Sequence, residues 1–259
     1  MLQHKTALIT GASNGIGLEF AKVFAKNGYH VVLVARSATA LQNIATELAH
    51  TYSITATVIV ADLSTMAAVE NVVATCKAQQ ITIDYLVNNA GFGSYGFFVN
   101  SDWDNTAQMI DLNIKALTYL CKLVAPLMVA NKYGRILNVA STAAFQPGPL
   151  MAVYFATKAY VLHFGEALHN ELQGTGVSVT TLCPGATASN FFTAASMNQS
   201  ILAKGKKLPT AAAVAACGYK AMQQQKLTVI HGTKNYILAN GIRFATRNMV
   251  LKITRKVLG

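Results

Sequence analysis

The run Thr10-Gly11-Ala12-Ser13-Asn14-Gly15-Ile16-Gly17 lies between an apolar, β-branched segment, Lys5–Thr10, and a helical pattern that starts near residue 15. Glycines at such a strand-to-helix turn allow a tight bend and close approach of the backbone to a diphosphate. The helix N-terminus favours the negative charge. The spacing is Gly-x3-Gly-x-Gly rather than the more usual Gly-x-Gly-x2-Gly, so the strand before and the helix after carry the inference. The run reads as a nucleotide cradle; the bland alternative is a plain βα turn.

Next along the chain, Val34-Ala35-Arg36 closes a second strand, and no acidic residue occurs between Glu19 and Glu47. A carboxylate at this strand end would hold the ribose 2′-hydroxyl of NAD. Arg36 instead offers a guanidinium suited to a 2′-phosphate, which makes NADP the expected cofactor, preferred over NAD, with Ser13 able to add a hydroxyl. A solvated strand-end charge is the competing reading of Arg36.

Further strands are expected at His30–Ala35, Thr55–Val60, Tyr85–Asn88, Arg135–Ala140, Val177–Leu182 and Leu227–Ile230. Helices are expected at about 15–27, 39–50, 65–79, 102–131, 150–173, 189–203, 210–225 and 234–257. This alternation, with few hairpin signals and with near-continuous apolar strands such as VVLVA, predicts an α/β fold: a parallel sheet with helices on both faces. One domain over 1–259 is the natural division, with about 185–259 forming a substrate-site region and a basic helical tail.

Tyr154 and Lys158 are four residues apart on one of these helices and so share a face. Ser141 follows a strand thirteen residues before the tyrosine. A phenol normally titrates near 10. A cation about 4 Å away, at an effective dielectric near 20, is worth about 4 kcal/mol, or about 3 pK units as an upper bound. Lys158 is therefore expected to make Tyr154 acidic enough to act as general acid or base, with Ser141 steadying a substrate oxygen. Taken singly, Ser141 also reads as a helix cap, Asp62 as another, and Asn113 as a satisfied polar group.

TGASNGIG at 10–17, Asp62 after the third strand, NNAG at 88–91, Asn113, Ser141, Tyr-x3-Lys at 154–158 and Pro184-Gly185 together resemble the short-chain dehydrogenase/reductase family, in order and spacing, over about residues 5–190. The resemblance implies a Rossmann-like, doubly wound sheet of seven strands in the order 3-2-1-4-5-6-7. It implies that Asp62 meets the adenine with Leu63 beside it, and that Asn89, Ala90 and Gly91 line the central cofactor groove. Pro184, Gly185 and Thr187 would bracket the nicotinamide and its phosphate side. Lys158 would also bind the nicotinamide ribose, and Asn113 would link Lys158 to solvent. Family members often pair through two long helices, here 102–131 and 150–173, so a homodimer or homotetramer is expected.

Residues expected to face the substrate are apolar. They include Phe92, Tyr95, Phe97, Phe98, Phe145, Met151, Phe191, Phe192 and Met197, with Phe92, Tyr95, Phe145, Phe191 and Phe192 the main candidates. They suit a small hydrophobic carbonyl or alcohol, such as a fatty-acyl, steroid-like or aromatic ketone. The expected activity is NADP(H)-dependent interconversion of such a ketone or aldehyde with its alcohol. The alternatives are a non-catalytic NADP-binding sensor or a peripheral membrane-associated reductase of lipid-like (3-ketoacyl or steroid-like) substrates.

At 53% apolar and 12% charged, the chain can build a large core and is not of disordered type. Cys76, Cys121, Cys183 and Cys217 have no paired spacing and the histidines no ligand-like grouping, so neither disulfides nor a metal site is expected. The first residues offer no signal-peptide pattern, and no uninterrupted apolar stretch reaches the roughly 18 residues of a spanning helix. A cytoplasmic location is expected, with a membrane-peripheral one as a variant.

Charge is unevenly placed. Residues 1–171 balance 10 Lys/Arg against 10 Asp/Glu, whereas 172–259 hold 11 Lys/Arg and no acid, so the net +11 lies there. The tail IRFATRNMVLKITRKVLG reads as an amphipathic helix with Ile242, Thr246, Met249, Ile253 and Val257 on one stripe and most cations off it. Three readings stay open: docking on an anionic membrane surface, capture of an acidic acyl carrier or CoA, or a packed helix with a solvated basic side. No nucleic-acid motif accompanies the charge, so no nucleic-acid partner is expected.

Overall fold

The computed structural model of the protein describes residues 5–188 and 208–259. Phe191, Phe192, Met197 and the helix expected at 189–203 lie outside the described residues.

Seven parallel strands form one sheet in the order β3-β2-β1-β4-β5-β6-β7, as the resemblance implied. They are β1 Thr6–Thr10, β2 His30–Ala35, β3 Ala56–Val60, β4 Tyr85–Asn88, β5 Gly134–Val139, β6 Val177–Cys183 and β7 Thr228–Ile230. Their alternation builds two cores. Leu8, Val32, Val34, Leu86 and Ile136 point to one face; Ala7, Ile9, Val31, Leu33, Val87 and Leu137 point to the other. The first face is covered by α3 (Met66–Ala78), α5 (Leu117–Ala130) and α6 (Ala152–Glu171). The second is covered by α1 (Gly15–Lys26), α2 (Ala38–Tyr52) and the helix Ala211–Gln223.

The chain reverses its winding direction between β1 and β4, which are paired from Ala7↔Tyr85 to Ile9↔Val87. The crevice beyond their C-terminal ends is where an open α/β sheet binds ligands. Both the glycine run and NNAG emerge there.

The helix expected at 102–131 is α4 (Trp103–Ile110), a π turn over Asp111–Ala116, and α5, in unbroken succession. By length and composition Trp103–Ala130 could cross a membrane. Here Leu117, Leu120, Val124 and Met128 are buried against the sheet.

The single helix expected near 234–257 is two helices, Thr233–Gly241 and Arg247–Leu258, joined by a 3-10 turn at Ile242–Phe244. Thr246 restarts the helix: its backbone is extended and its hydroxyl accepts from the Met249 amide. The buried face of Arg247–Leu258 is Val250, Thr254 and Leu258, which corrects the expected stripe. Met249, Ile253 and Val257 lie one step round the helix and remain exposed.

Candidate active site

The glycine run is shaped by steric necessity. Gly11 and Gly15 have φ of +66° and +55°, a region that disfavours side chains. At Gly17 a Cβ would come within 2.1 Å of the Gly11 carbonyl oxygen. The loop is braced from the next strand. Asn89 donates through Nδ2 to the carbonyls of Thr10 (2.9 Å) and Gly11 (3.4 Å). Thr10 Oγ1 accepts from the Asn89 and Ala90 amides, each at 3.0 Å, and donates to Val87 O at 3.2 Å. The Asn89 side chain, expected to line the groove, thus faces the loop and sets its shape. Thr10 is a positioning residue that sequence reasoning missed, hidden in what looks like an ordinary strand end.

Asn14 precedes α1 without a side-chain cap, so the first-turn amides are left for a ligand. Ser13, half-buried, and Gly15 and Ile16 complete a cradle whose backbone, glycine pattern and helix end fit a dinucleotide diphosphate. Arg36 is exposed just past β2, followed by Ser37, which caps α2. Asp62 Oδ1 accepts from the Ser64 amide (3.0 Å) and hydroxyl (2.9 Å), a local turn that fixes the carboxylate. Leu63, expected beside the adenine, has its side chain buried in the core next to Val34 and Ala116, where packing claims it.

Asn113 sits in the π turn, fully buried, and its side chain is spent on structure. Its Oδ1 accepts from the Phe92 amide (3.1 Å), and its Nδ2 donates to Phe92 O (2.9 Å) and Thr157 Oγ1 (3.1 Å). Thr157 in turn donates to the Tyr154 carbonyl at 2.7 Å. Any relay through Asn113 would therefore run through its main chain, which the π turn takes out of the regular α ladder. Gly91 is exposed, and a Cβ there would lie 2.7 Å from Asn113 Oδ1 and 3.6 Å from Lys158 Nζ. Thr157 was not singled out because a threonine between Tyr154 and Lys158 carries no signal of its own.

Tyr154, Lys158 and Ser141 converge. Lys158, 6% exposed, donates to Val139 O at 2.8 Å, and its nitrogen is 5.8 Å from the centroid of the Tyr154 ring. Ser141 is both things at once. It caps the 3-10 turn Thr142–Phe145 by accepting from Ala143 N at 3.1 Å, and its hydroxyl acts on the Tyr154 phenol, favouring the ionised form.

The electrostatics differ from the expectation. Burial pushes the Tyr154 phenol up to about 12, opposed by the Ser141 hydroxyl. Burial pushes Lys158 down to about 8, opposed by the nearby Cys183. Desolvation outweighs the ammonium because the lysine nitrogen is held on Val139 O rather than against the phenolic oxygen. At neutral pH the phenol keeps its proton and the lysine keeps most of its charge.

Around Tyr154 the structure gathers Met109, Ala143, Met151, Phe155 and Leu258, with Phe92 and Tyr95 at the margin. Leu258, another residue sequence reasoning missed, is held by Tyr95 Oη, which donates to its carbonyl at 2.9 Å. Phe145 packs instead against the central core. Phe97 and Phe98, expected on the substrate, are each 59% exposed at the surface.

Pro184 O accepts from Thr142 N at 2.9 Å, tying the end of β6 to the turn after Ser141. Gly185 admits Asn235: a Cβ there would be 2.4 Å from its Nδ2. Thr187, buried, donates to Gly185 O at 2.9 Å.

Residues 5–200 match the family described as short chain dehydrogenase. A very-long-chain 3-oxoacyl-CoA reductase of Anas platyrhynchos is 37% identical over 185 residues, which is 69% of this chain and 58% of the duck protein. The protein of the same description from Rattus norvegicus is 32% identical, over 96% of this chain and 83% of its own length. Among solved structures, a short-chain dehydrogenase from Sphingobium yanoikuyae in complex with NADPH is 31% identical, with a TM-score of 0.83 and coverage of 93% and 94%.

Proposed function

The chain belongs to the short-chain dehydrogenase family, whose members are nicotinamide-dependent oxidoreductases, and we propose that it is an NADP(H)-dependent enzyme reducing a hydrophobic ketone or aldehyde to its alcohol. The observation that carries this reading is the convergence of Ser141 on the Tyr154 phenol in an apolar enclosure, one helical turn from Lys158. The cradle of Gly11, Ser13, Gly15, Ile16 and Gly17 would hold NADPH, whose chemistry is hydride donation. Tyr154 gives its proton to the carbonyl oxygen as negative charge builds there, and Ser141 donates to the same oxygen. With its pKa pushed up to about 12, the phenol carries its proton at neutral pH and so can donate it. Lys158, one helical turn away, would supply positive charge on the same side of the site and support return of a proton.

Arg36, with Ser13, would take the 2′-phosphate. The NADPH complex of the Sphingobium relative supports the same preference. Phe92, Tyr95, Met151 and Leu258 form an apolar wall that suits a lipid-like carbonyl. The 3-oxoacyl-CoA reductases among the relatives favour acyl thioesters for the first tests.

The experiment is a panel of 3-oxoacyl thioesters and bulky ketones, followed by the absorbance of NADPH and of NADH. Turnover with NADPH supports the reading. Tight NADPH binding without turnover across the panel would replace it with a nucleotide sensor.

A further inference from the structure

The helix Arg247–Leu258 has two apolar stripes, and only one is used. Val250, Thr254 and Leu258 pack inward; Met249 (54% exposed) and Ile253 (51%), with Val257, face solvent. The unused stripe is the more hydrophobic of the two, since the buried one contains a threonine. Over eight residues it runs about 12 Å along the helix. Just before it, Phe244 is 93% exposed. Next to the helix lies the exposed segment Phe97–Val99, joined to it where the Arg255 guanidinium covers the Phe97 ring at 5.1 Å. Arg255 points from the opposite flank of the helix to Met249, Ile253 and Val257, so Phe97–Val99 is a separate exposed patch and the bare stripe is the helix's own.

Its border is cationic. Lys252 and Lys256 flank the Met249–Ile253–Val257 stripe on its outer side; Arg243 and Arg247 stand at its start. No acidic residue follows Glu171, and among the described residues no salt bridge involves any position beyond it. A second copy packed stripe to stripe would set the helix's cations against cations across a two-fold axis, and the helix itself carries no acid to answer them. A protein interface would also disfavour lysine at the edge of its apolar centre. Exposed aliphatic and aromatic groups rimmed by lysine and arginine complement the boundary of an anionic lipid layer.

We propose that the helix face formed by Met249, Ile253 and Val257, with Phe244 just ahead of it, docks on an anionic bilayer surface. The same helix presses Leu258 into the cluster around Tyr154, so the docked face and the wall of the site are two sides of one element. The docking claim stands apart from the substrate assignment and is tested separately.

The test is co-flotation of the full chain with vesicles of phosphatidylcholine alone and of phosphatidylcholine containing a third of phosphatidylserine. Binding is expected on the anionic vesicles and to weaken with added salt. Replacing two cations, Lys252→Gln with Lys256→Gln, should lower partition by about tenfold or more, since each basic residue near the surface is worth roughly fivefold. Ile253→Asp should abolish it while leaving the thermal melt of this exposed position unchanged. No flotation on anionic vesicles, or undiminished flotation of Ile253→Asp, would overturn the proposal. So would a halved solution mass of Ile253→Asp with vesicle binding intact, which would give the face to a second copy.

Discussion

Tyr95 donates its phenolic proton to the carbonyl of Leu258 at 2.9 Å, across 163 positions of sequence. This bond fastens the last turn of the C-terminal helix over the cluster that contains Tyr154. Losing it leaves a carbonyl to find another partner, a cost of about 1 kcal/mol. Tyr95→Phe should therefore raise KM several-fold while kcat changes little, because the wall moves and the proton donor does not. Steady-state kinetics on the preferred carbonyl check this; an unchanged KM would show that the bond does not shape the pocket.

Gly17 has no room for a methyl group. A Cβ would meet the Gly11 carbonyl at 2.1 Å and the Asn89 amide at 2.6 Å, and both atoms belong to the braced loop. Gly17→Ala should cost about 2 kcal/mol of stability and weaken NADPH binding by at least about tenfold. A thermal melt and a fluorescence titration measure the two effects. Wild-type affinity in this variant would mean that the loop yields without consequence.

In the proposed reading, the cofactor preference turns on Arg36. Arg36→Asp exchanges a phosphate-binding group for one that accepts from ribose hydroxyls. Loss of a charge-assisted contact is worth roughly 1.5–3 kcal/mol, so the kcat/KM ratio of NADPH to NADH should fall by about tenfold to a hundredfold. A ratio that does not move would remove Arg36 from the cofactor site.

Lys158 links stability to pH. Its folded pKa is pushed down to about 8 from 10.5, so between those values the unfolded chain binds the proton and the folded one has lost it. Stability contributed by this site is therefore reduced below about pH 8 and recovered as pH rises through the folded value towards 10.5. Tyr154 acts oppositely at higher pH: with its pKa raised to about 12, the unfolded phenol ionises first above 10. Lys158→Met isolates the lysine. The wild type should gain on the variant by on the order of 3 kcal/mol between pH 7 and pH 10.5, measured by urea unfolding. Parallel profiles would show that the buried lysine is not desolvated as described.

The sheet and the cradle were legible in the sequence because their chemistry is local. Gly11, Gly15 and Gly17 are demanded by positive φ or by contact within eight residues. Tyr154 and Lys158 meet because a helix repeats. Ser141 was readable either as a cap or as a partner of Tyr154, and it is both. What stayed hidden depends on distant packing. Nothing in the tail says that Val250, Thr254 and Leu258 would be chosen over the greasier Met249, Ile253 and Val257; what awaits the helix elsewhere in the fold, such as the cluster around Tyr154 that takes Leu258, decides. The tail's division is signalled only by Gly241 and Thr246. Asn89 was assigned to the groove by resemblance, and only the structure shows that its amide also braces the glycine loop. The acidity of Tyr154 was judged from the neighbouring charge, and the larger effect of burial needed the completed enclosure.

The central claim is that the Tyr154 hydroxyl delivers the proton when a carbonyl is reduced. Tyr154→Phe keeps the ring and its packing and removes only that hydroxyl, so single-turnover reduction under saturating NADPH reads the claim directly. The account predicts a fall of about a thousandfold or more in the rate, with the Kd for NADPH within about twofold of wild type. A variant that reduces the same carbonyl at near wild-type speed would contradict it.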